Sequence, residues 1–169
     1  TIIELSCGEY GVRDDGGIYN STYKLLNHQY KNQRNPISIG AFVLNEFAEQ
    51  NFQGFLRVSS KLIGRSKPTG LYAIKTDGTS MNRAEINGKR IEDGDYVIID
   101  GKNKVAEDKD VVLAIIDNKA TIKRFINDKQ NNQIVLRSDS SFDYEPIYLH
   151  PKDNFSVSGK VINIIKKSS

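Results

Sequence analysis

From residue 71 onward, hydrophobic positions fall in short blocks of β-branched and aromatic residues separated by Gly, Asp, Asn or Pro. That rhythm predicts strands and turns rather than helices. The blocks span residues 71–76, 96–100, 111–116, 120–126, 133–137 and 157–165, and a shorter candidate lies around Phe55-Leu56-Arg57-Val58. Asp117-Asn118, between the blocks at 111–116 and 120–126, both tolerate positive φ and predict a tight hairpin. The last block carries Val161, Ile162, Ile164 and Ile165 and is expected to be an edge strand available for pairing with a second copy of the chain.

The first third reads differently. Ile2-Ile3-Glu4-Leu5 is a short apolar run, and the Gly- and Asp-rich residues 8–17 suit turns, so residues 1–16 are expected to form an arm. Tyr19, Tyr23, Leu26 and Tyr30 recur at helical spacing and predict a helix over 20–32, closed by Asn35-Pro36. Ile39, Phe42, Val43, Phe47 and Ala48 form a second helical stripe that ends near Asn51-Phe52. The predicted organisation is an arm and helical extension over 1–53, followed by a mainly β domain over 54–169.

Composition narrows the function classes. A chain of 169 residues with 38% hydrophobic and 27% charged residues can form one domain with a proper core. It has no apolar run long enough to cross a bilayer, and its start lacks a secretory pattern, so the expected compartment is the cytoplasm, with no membrane partner. One cysteine, Cys7, and two histidines, His28 and His150, give no metal-ligand spacing, and neither metal nor cofactor is expected. The net charge of +3 is scattered along the chain rather than gathered into a basic face. The second helical stripe carries Glu46 and Glu49 and no Lys or Arg, which argues against a DNA-reading helix there.

Two segments carry candidate chemistry. Asp77-Gly78-Thr79-Ser80-Met81 follows a predicted strand and has a glycine two residues before a serine, where a sharp turn can present a hydroxyl. In Ala120-Thr121-Ile122-Lys123-Arg124-Phe125, alternation puts Thr121, Lys123 and Phe125 on one face and Ile122 and Arg124 on the other. A lysine on an apolar strand face loses part of its preference for the charged form, and a neutral lysine can take a proton from serine. Taken singly, a serine in a glycine-containing loop is an ordinary turn residue, and a strand lysine is an ordinary snorkelling side chain.

Several blocks together resemble the Ser-Lys peptidases of the LexA and UmuD type. The stretch Leu71-Tyr72-Ala73-Ile74-Lys75-Thr76-Asp77-Gly78-Thr79-Ser80-Met81 is similar to the nucleophile motif of that family. Ile91-Glu92-Asp93-Gly94-Asp95-Tyr96-Val97-Ile98-Ile99-Asp100 resembles the turn and strand that follow it. The run from Asp110 to Phe125 resembles the hairpin that delivers the general-base lysine, and the segments from Ser138 to Ile147 and from Phe155 to Ile162 resemble the closing blocks.

The resemblance implies a curved, mostly antiparallel β fold and an endopeptidase that cuts one bond in its own chain. Ser80 would be the nucleophile, Lys123 the base, and the backbone N–H groups of Ser80 and Met81 the oxyanion donors. Met81 itself reads as core, and Asp93-Gly94-Asp95 as a structural turn. The small-residue–glycine bond of the family's type is Cys7–Gly8, much further before the nucleophile than the family pattern places it. Residues 82–92 are also longer than that pattern and predict an enlarged turn. The implied partners are a second copy of the chain, a RecA filament on single-stranded DNA as activator, and operator DNA held by a DNA-binding domain absent from this chain. A UmuD-like polymerase accessory protein and a non-cleaving repressor oligomerisation domain are the competing expectations.

Overall fold

A computed structural model describes residues 2–9, 52–64, 70–117 and 119–168. The helices expected over 20–32 and 39–51 lie outside the described residues. Within them are β1 (Ile2–Glu9), β2 (Phe52–Ser59), a single helical turn α1 (Ser60–Ile63), β3 (Leu71–Lys75), β4 (Glu85–Ile86), β5 (Lys89–Arg90), β6 (Tyr96–Asp100), β7 (Val111–Ile116), β8 (Lys119–Asp128), β9 (Gln133–Arg137), β10 (Ile147–Leu149) and β11 (Phe155–Ile165). The mainly β architecture expected of the chain is the observed one. The blocks at 96–100, 111–116 and 133–137 coincide with β6, β7 and β9.

Nine of the strands form one sheet in the order β10-β9-β8-β7-β11-β6-β3-β1-β2, and β4 and β5 form a separate small hairpin. Neighbours are antiparallel except β1 and β3, which run parallel. Strand alternation divides the core between the two faces. On one face Tyr72, Ile74, Val97, Ile99, Leu113 and Val161 pack with Met81, Ala84 and Ile91 from the loops. On the other, Leu71, Ala73 and Ile98 pack with Val58 and Ile63, and further along the sheet Val112, Ala114, Phe125, Leu136 and Leu149 form a third cluster.

Two expectations are corrected. Residues 2–9 are not arm but strand β1, hydrogen-bonded to β2 on one side and β3 on the other. The apolar run Ile2-Ile3-Glu4-Leu5 is short enough to pass for an arm because its partners on β2 lie some 50 to 60 residues further along the chain. The C-terminal strand is not an edge either. β11 lies between β7 and β6, so both its ladders are filled within the chain and it presents no edge to a second copy. Among the described residues the sheet's outer strands are β2 and β10. An apolar strand wanted on both sides reads in sequence like an apolar strand exposed on one.

The longer stretch after the serine is not a plain enlarged turn. It folds into the β4–β5 hairpin, whose central Asn87 and Gly88 have φ of 50° and 75°, a pair that matches the right-handed twist of a two-residue hairpin. The Asp93-Gly94-Asp95 turn is structural, as expected. Asp95 is fully buried and accepts hydrogen bonds from Lys166 Nζ at 2.6 Å, the Glu92 N–H at 2.8 Å and the Lys167 N–H at 3.0 Å. Burial pushes its carboxyl up, but those donors outweigh burial and hold it below the usual carboxylate range.

The interior position of β11 depends on Gly159, which sits at a break in register opposite β7. A Cβ there would lie 2.5 Å from the Asp100 carbonyl oxygen and 2.6 Å from Ile99 Cγ2. Gly159→Ala must therefore push β11 away from β6, and overpacking of this kind costs about 1–3 kcal/mol. A urea melt followed by circular dichroism should show the lower midpoint, and an unchanged midpoint would mean that β11 and β6 are not packed as described.

Candidate active site

β3 ends at Lys75, and the chain turns through Gly78 to bring Ser80 beside β8. Gly78 has φ of 85°, a region closed to most side chains, and its N–H donates to Asp93 Oδ1 at 2.7 Å. The turn is thereby tied to the 93–95 loop. Thr76 strengthens the tie, its N–H and hydroxyl donating to the Asp95 carbonyl at 2.7 and 3.1 Å.

From the other side the serine loop is laced to the segment after β9. The Asp139 N–H donates to the Ser80 carbonyl at 3.0 Å, and the Arg83 N–H donates to the Asp139 carbonyl at 2.9 Å. Ser140 Oγ donates to the Thr79 carbonyl at 2.7 Å, Thr79 and Tyr144 share a hydroxyl–hydroxyl bond of 2.9 Å, and Asn82 Nδ2 donates to Ser141 Oγ at 2.7 Å. Serine 80 is therefore carried on a loop braced on both flanks.

The hairpin expected at Asp117-Asn118 forms, with two residues between β7 and β8 and Asp117 at φ 47°. Its register sets Lys123 across from Val112. On the far side of β8, Arg124 pairs with Arg137, the last residue of β9. Lys123 is 9% exposed, and its Nζ lies 3.1 Å from Ser80 Oγ and 3.2 Å from the carbonyl of Ile122. Burial lowers its amine from the ordinary 10.5 to about 8. Two residues 43 positions apart in sequence are thus in hydrogen-bond reach, one a hydroxyl and the other an amine whose neutral form is accessible near neutral pH.

The N–H groups of Ser80 and Met81 make no hydrogen bond to another described residue. The Met81 side chain, as expected, is core. Beside Ser80 is a cavity of about 60 Å³ lined by Ile74, Met81, Ile91, Leu113 and Ile122 among others. Lys75, Thr76, Asp77 and Thr121 line it as well, so it is a small cavity of mixed, mainly apolar character.

Cys7 and Gly8 lie on β1. Their Cα atoms are in register with Ala73 and Ile74 of β3 on one side and with Gly54 and Phe52 of β2 on the other, and a break in the β2 register falls between them. The bond that joins them belongs to a strand paired on both edges, next to the strand that leads into the serine loop.

Sequence reading missed the residues that hold this site together. Arg124 Nε donates to Asp139 Oδ2 at 3.1 Å, Nη2 forms a closer ion pair with the same oxygen, and Nη1 donates to the Lys109 carbonyl at 2.7 Å. This clamp joins the strand bearing Lys123 to the segment bearing the Ser80 contact. The available signal was the polar run Ser138-Asp139-Ser140-Ser141, too rich in acceptors for a plain connection.

A family model described as Peptidase S24-like matches residues 36–162. Among curated proteins, the LexA repressor of Oleidesulfovibrio alaskensis is 34% identical over 116 residues, which is 69% of this chain and 50% of that protein. The LexA repressor of Clostridium perfringens is 41% identical over 96 residues, 57% of this chain and 41% of that protein. The LexA repressor of Corynebacterium efficiens is 31% identical over 120 residues, 71% of this chain and 45% of that protein. The chain thus spans about half the length of the curated relatives it matches.

The geometry around Lys123 makes a prediction about stability. Folding must either strip the ammonium of water or remove its proton, so Lys123→Met should stabilise the chain at pH 7 by on the order of 1 kcal/mol. The folded amine lies below its unfolded value, so the unfolded state binds more protons between the two, and wild-type stability rises with pH there. The gap between variant and wild type should be full below pH about 8 and close as the pH approaches 10.5. Thermal melts at pH 7 and pH 10 check it; a gap that widens with pH would show that the amine is not desolvated.

Proposed function

The chain belongs to the Peptidase S24-like family, and from that premise we propose that it is the self-cleaving, dimerising part of a LexA-like transcriptional regulator, cut by Ser80 with Lys123 as base. The observation that carries this reading is the 3.1 Å contact between a buried lysine amine and a serine hydroxyl. A purely structural domain gains nothing from desolvating a lysine against a serine.

The chemistry follows from the contact. Neutral Lys123 takes the Ser80 proton as Oγ attacks the scissile carbonyl, and the N–H groups of Ser80 and Met81 receive the oxyanion. The Lys123 ammonium then protonates the leaving amine, and water completes the hydrolysis of the acyl-serine with the same base. The small cavity beside Ser80 suits a small residue before the cut bond, and a glycine after it permits close backbone approach. Cys7–Gly8 meets both demands.

In this reading β1 must leave at least one of its two partner strands to present that bond, because a carbonyl held in a ladder cannot be laid across the serine. A RecA filament on single-stranded DNA would act by favouring that release, and operator DNA would be bound by a domain outside this chain. Dimerisation remains part of the proposal, through a surface other than an edge of β11. The double pairing of β1 also favours a second reading, a non-cleaving oligomerisation domain in which that state is permanent.

With the amine at about 8, roughly a tenth of Lys123 is neutral at pH 7, so the first-order cleavage rate should climb about tenfold per pH unit from pH 6 and level off above pH 8 to 9. Mass spectrometry of the incubated chain should show a fragment comprising residues 1–7. Ser80→Ala and Lys123→Ala should each abolish it, because nucleophile and base act as a unit. A wild-type chain that stays whole at pH 9.5 with the filament present would overturn self-cleavage at Cys7–Gly8 and leave the non-cleaving reading.

A further inference from the structure

The end of β11 brings the last residues of the chain back to the loop that carries Ser80. Ile165 closes β11 opposite Tyr96, the first residue of β6, so Lys166 emerges beside Asp95. Asp95 is fully buried, whereas Lys166 keeps 41% of its side chain exposed. The Lys166 ammonium donates to Asp95 Oδ2 at 2.6 Å, Glu92 Oε2 at 2.8 Å and the Arg90 carbonyl at 3.1 Å, which uses all three of its N–H groups. Lys167 adds its backbone N–H to Asp95 Oδ1 at 3.0 Å and its Nζ to the Asp93 carbonyl at 2.8 Å. The tail lies close against the turn, since a Cβ on Gly94 would be 3.1 Å from Lys167 Cδ.

A buried carboxylate is costly unless cations and donors meet it. Among the described residues, the hydrogen bonds that leave the 92–95 turn go to two places. One is the tail. The other is the serine loop, where the Gly78 N–H donates to Asp93 Oδ1 and the Thr76 N–H to the Asp95 carbonyl, both at 2.7 Å. The Thr76 hydroxyl donates to the Glu92 carbonyl at 2.7 Å, and the Gly94 N–H to the Thr76 carbonyl at 2.9 Å. The turn is thus a bridge from the C-terminal tail to a glycine two residues before Ser80.

We propose that Lys166 is a positioning residue for Ser80: by meeting the Asp95 carboxylate it fixes the 92–95 turn, and through Gly78 and Thr76 the turn holds the hydroxyl within reach of Lys123. The role rests on the reading of Ser80 and Lys123 as nucleophile and base. Ionised Asp95 accepts on both oxygens, from Lys166 and the Glu92 N–H on one and from the Lys167 N–H on the other. A proton on either oxygen sets a donor against those donors, and the turn must shift to relieve it.

Burial pushes the Asp95 carboxyl up, and with the tail in place its donors outweigh burial and hold it below the usual carboxylate range. Without the ammonium, burial is opposed by the two backbone donors alone, so Asp95 takes up its proton at higher pH. The other charged or titratable groups around it are Glu92 and Asp93 of the turn, Lys167 of the tail, Lys89 and Arg90 of β5, and Lys75 and Tyr96, which pair at the foot of the turn.

Fluorophosphonate labelling reports the serine hydroxyl directly and does not depend on whether Cys7–Gly8 is cut. Ser80 Oγ bonds to phosphorus, fluoride leaves, and the proton passes to Lys123. In wild type the rate follows neutral Lys123, so the acid limb falls about tenfold per pH unit. In Lys166→Met the limb should steepen toward about a hundredfold per unit, because Asp95 must then also lose a proton. The variant should label about tenfold or more below wild type at pH 6 and converge with it by pH 9.5, where Asp95 is ionised in both. A tail that merely stabilised the fold would lower the whole profile by one factor or leave it in place.

Lys166→Arg keeps a cation and should restore the wild-type profile. Asp95→Asn removes the buried charge and with it the need for the ammonium, but it sets an amide donor where the carboxylate accepts. It should hold labelling about tenfold low at every pH with the Lys123 midpoint unmoved. Adding Lys166→Met to Asp95→Asn should cause no further loss, since both act through one contact. That pair carries the test if circular dichroism shows Lys166→Met alone to be unfolded.

A Lys166→Met profile that superimposes on wild type, or lies below it by one factor at every pH, overturns the proposal. So does an Asp95→Asn profile equal to wild type, or a further loss in the double variant. Lys123→Ala separates the two levels of failure. If it abolishes labelling while Lys166→Met matches wild type, only the role of Lys166 is wrong; if it labels like wild type, the dyad falls and the role of Lys166 with it.

Discussion

A lysine amine removed from water and set 3.1 Å from a serine hydroxyl is the interaction on which the site depends. Desolvation alone lowers the amine to about 8. The sheet provides it. Lys123 is buried on β8 across from Val112 of β7, and its amine meets Ser80 of the serine loop. A lysine held this way opposes folding, so the rest of the core must over-determine its position.

That over-determination is visible in how the serine loop is attached. One flank is tied to the 93–95 turn through Thr76 and Gly78, the other to residues 139–144 through Asp139, Ser140, Ser141 and Tyr144. The Arg124–Asp139 clamp then joins the second flank to the strand of the base. Ser80 and Lys123 ride on elements distant in sequence, yet the network between them is short and mostly made of hydrogen bonds to backbone. Backbone atoms move less than side-chain tips, so distances set through them hold a hydroxyl and an amine in reach more firmly than a side-chain chain would.

Pairing of β1 into the same sheet brings a second constraint. The strand with the Cys7–Gly8 bond is parallel to β3, and β3 leads directly into the serine loop. Attachment of a candidate substrate bond to the neighbour of its own nucleophile strand would make its release a local event at the sheet rather than a search by a free arm. The break in register between Cys7 and Gly8 marks the place where that attachment is least regular.

The sequence by itself determined the longer strands of the second half and pointed to Ser80 and Lys123, because both depend on local information. Alternation, β-branched residues and turn chemistry at Asp117-Asn118 act over a few residues, and they placed β6, β7 and β9 to the residue. The family's motif blocks are likewise contiguous, and they singled out the two residues that the fold brings together. What only the tertiary structure decided is non-local. An apolar strand looks the same whether one or both of its edges are filled, so β11 read as an edge and proved interior, and β1 read as an arm and proved a strand. The Arg124–Asp139 clamp was equally out of reach, since a charge acquires its role from its neighbours across strands. Those neighbours are set by register, and register is a property of the assembled sheet.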